Sequence, residues 1–227
     1  MKHKQLVLVV LLALFFTGCS MVEESTPTKI LPTEVQEPTI GYPVEMETQE
    51  PTSAYPVETE TRAPDLSGTA DLVINALADK DMAMLANFVH PERGVRFSPY
   101  AFVREEHQVF MPEVLPDLVG SEEVYTWGNY DGTGEPIDLE FEDYHEEFVY
   151  SADFADPEQM AVNERLGQGN TINNIGEFYP EASFVEYHFT GFEEEYEGMD
   201  WESLRLVFVE EDGAWWLVGI VHDEWTI

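Results

Sequence analysis

Asp212-Gly213 stands between two dense apolar runs, Ser203-Leu204-Arg205-Leu206-Val207-Phe208-Val209 and Trp215-Trp216-Leu217-Val218-Gly219-Ile220-Val221-His222. A two-residue turn of this kind wants positive φ at both central positions, so the pattern predicts a β-hairpin whose register is pinned by its turn. Ser183-Phe184-Val185-Glu186-Tyr187-His188-Phe189 has the same character and predicts a third strand. The last third of the chain is therefore an antiparallel meander, and the rest of the domain has to cover it.

The cover is legible upstream. Leu66, Ala70, Val73, Ile74 and Leu77 recur at three- and four-residue spacings, which predicts a helix over 66–78. Asp81 is placed to cap a second helix running through Met82, Leu85, Phe88 and Val89. His90-Pro91 closes it, with His90 satisfying the final carbonyls. Gly94 to Tyr100 and Glu122 to Tyr130 read as extended, the second turned by Asp131-Gly132-Thr133-Gly134. Residues 137–154 stay ambiguous, with a helix through Tyr144 and Phe148 as one alternative, and 163–176 reads as loop. Two helices followed by a meander predict an α+β domain over 65–227 with its helices on one sheet face.

Ahead of that domain the chain changes character twice. Lys2 and Lys4 precede the apolar run Leu6 to Phe16, and Thr17-Gly18 leads to Cys19, the one cysteine present. A basic start, a short apolar core and a small-residue cleavage site make a secretory signal over 1–18. The run falls short of the roughly 20 residues that a membrane span needs. Phe16-Thr17-Gly18-Cys19 resembles the bacterial lipobox, with Phe16 where leucine is usual. The resemblance implies diacylglycerol on the Cys19 thiol, palmitate-type acylation and anchoring at the extracytoplasmic face of the cell envelope. Two chains on one residue give stable anchoring where a single chain is marginal. A lone cysteine also makes no internal disulfide, so the exported domain must be held by its core.

From 19 to 64 the composition is Pro, Thr, Glu and Val, which cannot bury enough apolar surface to offset chain entropy. We read it as a disordered stalk. Tyr42-Pro43-Val44-Glu45 recurs as Tyr55-Pro56-Val57-Glu58, a duplication expected of a low-complexity spacer.

The chain has 46 acidic and 10 basic residues, a formal net charge of −36. All but nine of the acidic residues lie beyond residue 64, where the basic ones are Lys80, Arg93, Arg96, Arg104, Arg165 and Arg205. All five tryptophans lie there too, so this is a folded domain with an acidic skin. Such a field repels nucleic acid and anionic surfaces and attracts cations and basic proteins.

Two opening helices, a short strand carrying Phe97 and long C-terminal strands resemble the NTF2-like (cystatin-like α+β) superfamily. The segments His90 to Tyr100, Trp127 to Ile137, Gly198-Met199-Asp200-Trp201 and Val218 to Ile227 resemble uncharacterised bacterial lipoproteins. These likenesses imply a curved antiparallel sheet packed on the N-terminal helices, with a cavity at its open end. They imply no single activity, because that fold hosts enzymes and non-catalytic binders alike.

Three sets of residues are candidates for chemistry. If the last strands are neighbours, His188 and His222, with the carboxylate of Asp223, are expected to converge at the cavity mouth as a general base and its orienting partner. NTF2-like isomerases and dehydratases use similar arrangements. Asn129-Tyr130-Asp131-Gly132-Thr133-Gly134-Glu135 has the oxygen-rich character of a calcium loop, with Asp131 and Glu135 as ligands, though no glutamate closes it. A glycine turn explains the same residues without a metal. Tyr187, Trp201 and Trp216 are the candidate ligand-binding aromatics, core packing being the alternative for each. Trp215 and Trp216 are expected on opposite sheet faces. The expected function is an anchored, non-catalytic module for a ligand or a basic protein partner, without a cofactor unless calcium; the alternative is the His/carboxylate enzyme.

Overall fold

The computed structural model describes residues 65–226. The signal, Cys19 and the stalk with its duplication lie outside the described residues. Among the described residues no helix is long and apolar enough to cross a membrane.

Helix α1 (Leu66–Ala78) begins on Asp65, whose carboxylate accepts from the Gly68 N–H at 3.0 Å. It buries Ala70, Val73, Ile74 and Leu77 as its spacing predicts. Helix α2 (Met82–Leu85) is capped by Asp81 through the Met84 N–H at 2.8 Å, but it is one turn long. Val89 is no part of it: Leu217 donates to the Phe88 carbonyl and His90 donates to the Leu217 carbonyl, so this segment bridges to a strand. His90 accordingly does not close a helix. Its Nδ1 accepts from the Glu92 and Arg93 N–H groups, both at 3.1 Å, which leaves Nε2 to donate to Glu211 at 2.9 Å. The side chain pins the turn after Pro91 to the β-hairpin tip.

Among the described residues eight strands follow: β1 (Val95–Ser98), β2 (Val109–Phe110), β3 (Val124–Asn129), β4 (Pro136–Glu140), β5 (Gln159–Val162), β6 (Ser183–Phe189), β7 (Glu202–Glu211) and β8 (Ala214–Glu224). Six form one curved sheet in the order β2-β1-β8-β7-β6-β5. Every neighbouring pair is antiparallel except β1 with β8, which is parallel. The Asp212-Gly213 turn has φ of 54° and 77°, as the hairpin requires. Strands β3 and β4 form a separate hairpin. Helix α3 (Phe141–Tyr144) continues into a π-turn over His145–Val149, so the ambiguous stretch 137–154 is strand at its start and helical over 141–149. Helix α4 (Ile175–Phe178) ends the loop that crosses the sheet's other side.

The two sheet faces are covered differently. The inner face presents Phe97, Val185, Leu204, Leu206, Phe208 and Ile220 to α1 and to Trp127, Phe141, Tyr144 and Phe148. The outer face presents Val207, Val209, Val218 and Val221 to Ile175, Phe178 and Tyr179. Trp215 packs with the first cluster and Trp216 with the second, so the adjacent tryptophans do part.

Candidate functional site

Strand register decides where the predicted residues meet. His188 pairs with Ser203 and Ser203 with Asp223, while Tyr187 pairs with Leu204 and Leu204 with His222. Side chains alternate across a strand, so His188 and Asp223 lie on the outer face and His222 lies on the inner face. The expected convergence of His188, His222 and Asp223 is therefore corrected: the sheet itself separates the two histidines.

On the outer face the polar residues form a buried ion cluster. Arg205, fully buried, donates from Nε and Nη2 to Glu186 at 2.8 and 2.9 Å and from Nη1 to Asp223 at 2.8 Å. Arg165 reaches Asp223 at 3.2 Å, and Glu186 also accepts the Gly167 N–H at 2.8 Å. Burial pushes the Glu186 carboxyl up, but the Arg205 guanidinium prevails and holds it below the usual range. This arrangement clamps the 165–171 loop onto the sheet. His188 sits at its rim with Nδ1 2.8 Å from Ser203 Oγ, and burial lowers its pKa below the ordinary histidine value.

The three aromatic candidates do not share a site. Tyr187 is buried in the inner core. Trp201 lies against His188 with ring centroids 5.8 Å apart and against Gly167, where any Cβ would run into Trp201 and Ser203. Trp216 lies on the outer face beside His90, 6.4 Å away.

His222 has a different environment from His188. It is 1% exposed, neither ring nitrogen has a hydrogen-bond partner, and Nε2 is 3.7 Å from Glu224 Oε2. Phe148 meets the ring edge-on at 5.9 Å. Glu147 is close enough for its charge to interact with His222, and its own pKa is raised by burial.

The turn read as a calcium loop instead forms one wall of a cleft of about 390 Å³. Tyr100, Phe102, Arg104 and His107 form the facing wall, with Tyr130 and Asp131 opposite. Asp131 Oδ2 accepts the Thr171 hydroxyl at 2.9 Å and the Thr226 hydroxyl at 3.3 Å. Glu135 is exposed and serves the turn through its carbonyl, which accepts the Tyr130 N–H at 2.9 Å. Among the described residues no three His, Cys, Asp or Glu side chains group to hold a metal. In the structure the Asp131 carboxylate ties this turn to the 171 loop, and Glu135 takes part in the turn through its backbone.

His107 gives this cleft a defined donor. Its Nδ1 accepts the Arg104 N–H at 3.3 Å and lies 3.0 Å from Ser98 Oγ, so Nε2 carries the proton. Burial lowers its pKa to about 4, and likewise that of His145, whose Nε2 donates to the Leu77 carbonyl at 3.0 Å. Sequence reasoning missed Tyr100, Phe102, Arg104 and His107. The available signal was two cationic or donor residues flanking Glu105-Glu106 in an acidic chain.

Both depressed histidines predict a pH dependence. An unfolded histidine binds its proton near pH 6.5, whereas these two resist until about 4, so the stability they confer is complete above 6.5. It is lost as pH falls from 6.5 to 4, to the order of 3 kcal/mol per histidine at the limit. Urea midpoints should fall between pH 6.5 and 5, before the exposed carboxylates titrate, and H107Q and H145Q should each flatten the profile. A wild-type midpoint constant over that interval would refute this.

No family model matches the chain, and no curated protein does. Among solved structures it is similar to a protein assigned as a calcium/calmodulin dependent protein kinase II association domain from Xanthomonas campestris. The two are 15% identical with a TM-score of 0.30, over 70% of this chain and 84% of that one. No residue-by-residue correspondence follows at that distance.

Proposed function

We propose that this chain is a lipid-anchored extracytoplasmic binding module, non-catalytic, whose NTF2-like domain seats a small ligand in the cleft between residues 99–107 and 129–134. The NTF2-like reading is supported by the sheet: an opening strand joined in parallel to the last strand of a meander, with α1 on the inner face. The anchor reading rests on the basic start, apolar run and Cys19. The observation that carries the binding reading is the composition of the cleft. Flat apolar walls from Tyr100, Phe102 and Tyr130 stand beside the His107 Nε2–H and the Arg104 guanidinium, which stacks 5.1 Å from the Phe102 ring. Apolar walls with a few fixed polar groups are the usual make-up of a small-molecule site. They suit a ligand with a planar or apolar body and exposed acceptors, such as a sugar or an aromatic amide.

The test is thermal unfolding of the purified protein with sugars and small aromatic compounds, with Ca²⁺ and with EDTA. A ligand at a hundred times its Kd adds about 2.7 kcal/mol to native stability. The melting temperature should rise with one such compound, and Y130A and R104A should each remove the rise. A flat response to the whole panel, or a shift that both variants retain, would overturn the cleft as the site.

A proton-transfer enzyme is the second reading, favoured by the unpartnered, buried His222 beside Glu147 and Glu224. On that reading H222Q abolishes turnover while the domain stays folded.

A further inference from the structure

Cations are scarce in this domain, and buried ones are expected to have a carboxylate partner. Arg205 has two and Arg165 has one. Arg96 is the exception. Its side chain is only 15% exposed, and the carboxylate oxygen paired with it, Glu105 Oε2, is 3.9 Å away on a side chain that is 88% exposed. Nη1 donates to the carbonyls of Arg104, Glu105 and His107 at 2.8 to 3.1 Å, which satisfies hydrogen bonding but supplies dipoles rather than a countercharge.

Arg96 stands on the outer side of β1, and the guanidinium lies over the Phe178 ring at 5.2 Å. Arg93 lies 6.0 Å from the Tyr179 ring centroid and holds Glu181 at 2.7 Å through Nη1. The two guanidiniums, Phe178 and Tyr179 line a pocket of about 120 Å³ whose remaining wall is Val109 and Val218. Tyr179 is fixed there by donating to the Val218 carbonyl at 3.3 Å. It has room because Gly219, the β1 partner of Arg96, carries no side chain: a Cβ there would come within 3.4 Å of its hydroxyl.

We propose that this pocket is a second binding site, separate from the cleft, for a short-chain monocarboxylate. Its carboxylate takes the Nε and Nη2 hydrogens of Arg96 together with Arg93, and its alkyl tail lies on Val109 and Val218. Guanidinium forks match planar carboxylates in geometry, and the bound anion supplies a closer countercharge than the distant, exposed Glu105. The small volume excludes large acids, and the apolar wall favours an alkyl acid over inorganic phosphate. Arg96 also holds the carbonyls of 104 and 107, so occupancy of this pocket stiffens one wall of the cleft.

The experiment is calorimetric titration of the full-length protein with acetate, propionate, butyrate and inorganic phosphate, with chloride keeping ionic strength constant. Propionate or butyrate should bind saturably. R93Q should weaken binding by about tenfold or more, the loss of one charge-assisted hydrogen bond. E181Q, which releases Arg93 from its competing carboxylate, should tighten it. R96Q should abolish it; if R96Q fails to fold, the two surface variants R93Q and E181Q carry the test. Absence of saturable carboxylate binding, or equal affinity in R93Q and wild type, would overturn the site. Phosphate binding as tightly as butyrate would overturn its carboxylate assignment. These outcomes are independent of whether the cleft binds anything, since Y130A leaves this pocket intact.

Discussion

Arg205→Ala is expected to cost about 3 to 5 kcal/mol of folding stability, because it strands two buried carboxylates. Glu186 and Asp223 are both fully buried, and Asp223 Oδ1 already lacks a hydrogen-bond partner. With Arg205 gone, Asp223 keeps Arg165 at 3.2 Å, and Glu186 keeps the N–H groups of Leu166 and Gly167 but no cation. Both carboxyls must then take up protons or draw water under the 165–171 loop. Urea unfolding at pH 7 measures the loss. The instructive partner is the triple variant E186L/R205M/D223L, which removes all three charges at once. Replacing a whole buried ion cluster with apolar groups of similar volume is often neutral or stabilising. The triple variant should therefore be more stable than R205A although it changes more residues. If R205A were as stable as wild type, the cluster would hold nothing in place.

Trp127→Ala is expected to cost a similar amount, about 3 to 5 kcal/mol, by opening a cavity in the core. Trp127 is fully buried, stacks on Tyr144 at 3.8 Å and donates from Nε1 to the Leu139 carbonyl at 3.0 Å. It also meets Phe97, Phe110, Tyr125 and Phe141, so its indole is the hub that fixes the β3–β4 hairpin to the main sheet. That hairpin has no strand pairing to the six-stranded sheet, which makes side-chain packing its attachment. Beyond the global loss, W127A should cut hydrogen-exchange protection in 124–140 more than in β7 and β8. Because the 129–134 turn at its tip walls the cleft, ligand binding should weaken as well. Uniform loss of protection across the domain would contradict this hierarchy.

How much of this was legible follows from what kind of information each feature needs. Helix α1 announces itself by spacing and α2 by its Asp81 cap, local signals that the structure keeps. The β7–β8 hairpin announces itself by a turn whose two positions need positive φ. Strand β5 does not: its burial is exposed, exposed, half-buried, exposed, so it carries no alternation and is extended because β6 offers it an edge. Val89 carries an apolar periodicity that suits a helix, yet it bridges to Leu217. For the histidines, a shift of one residue in pairing would have put His188 and His222 on one face, and sequence does not contain that parity. The cleft residues come from three separated segments and meet through tertiary packing alone.

The parallel pairing of Arg96 with Gly219 and Phe97 with Ile220 also sets a timetable for assembly. Strand β1 must wait for β8, more than a hundred residues later in the chain, because β8 lies between β1 and β7. Strands β5, β6 and β7 can pair with one another early, but β1 and β2 join the sheet only through β8, and such long-range closure is slow. Loss of β8 should therefore leave two separated sheet fragments, β2-β1 and β7-β6-β5, rather than a trimmed domain.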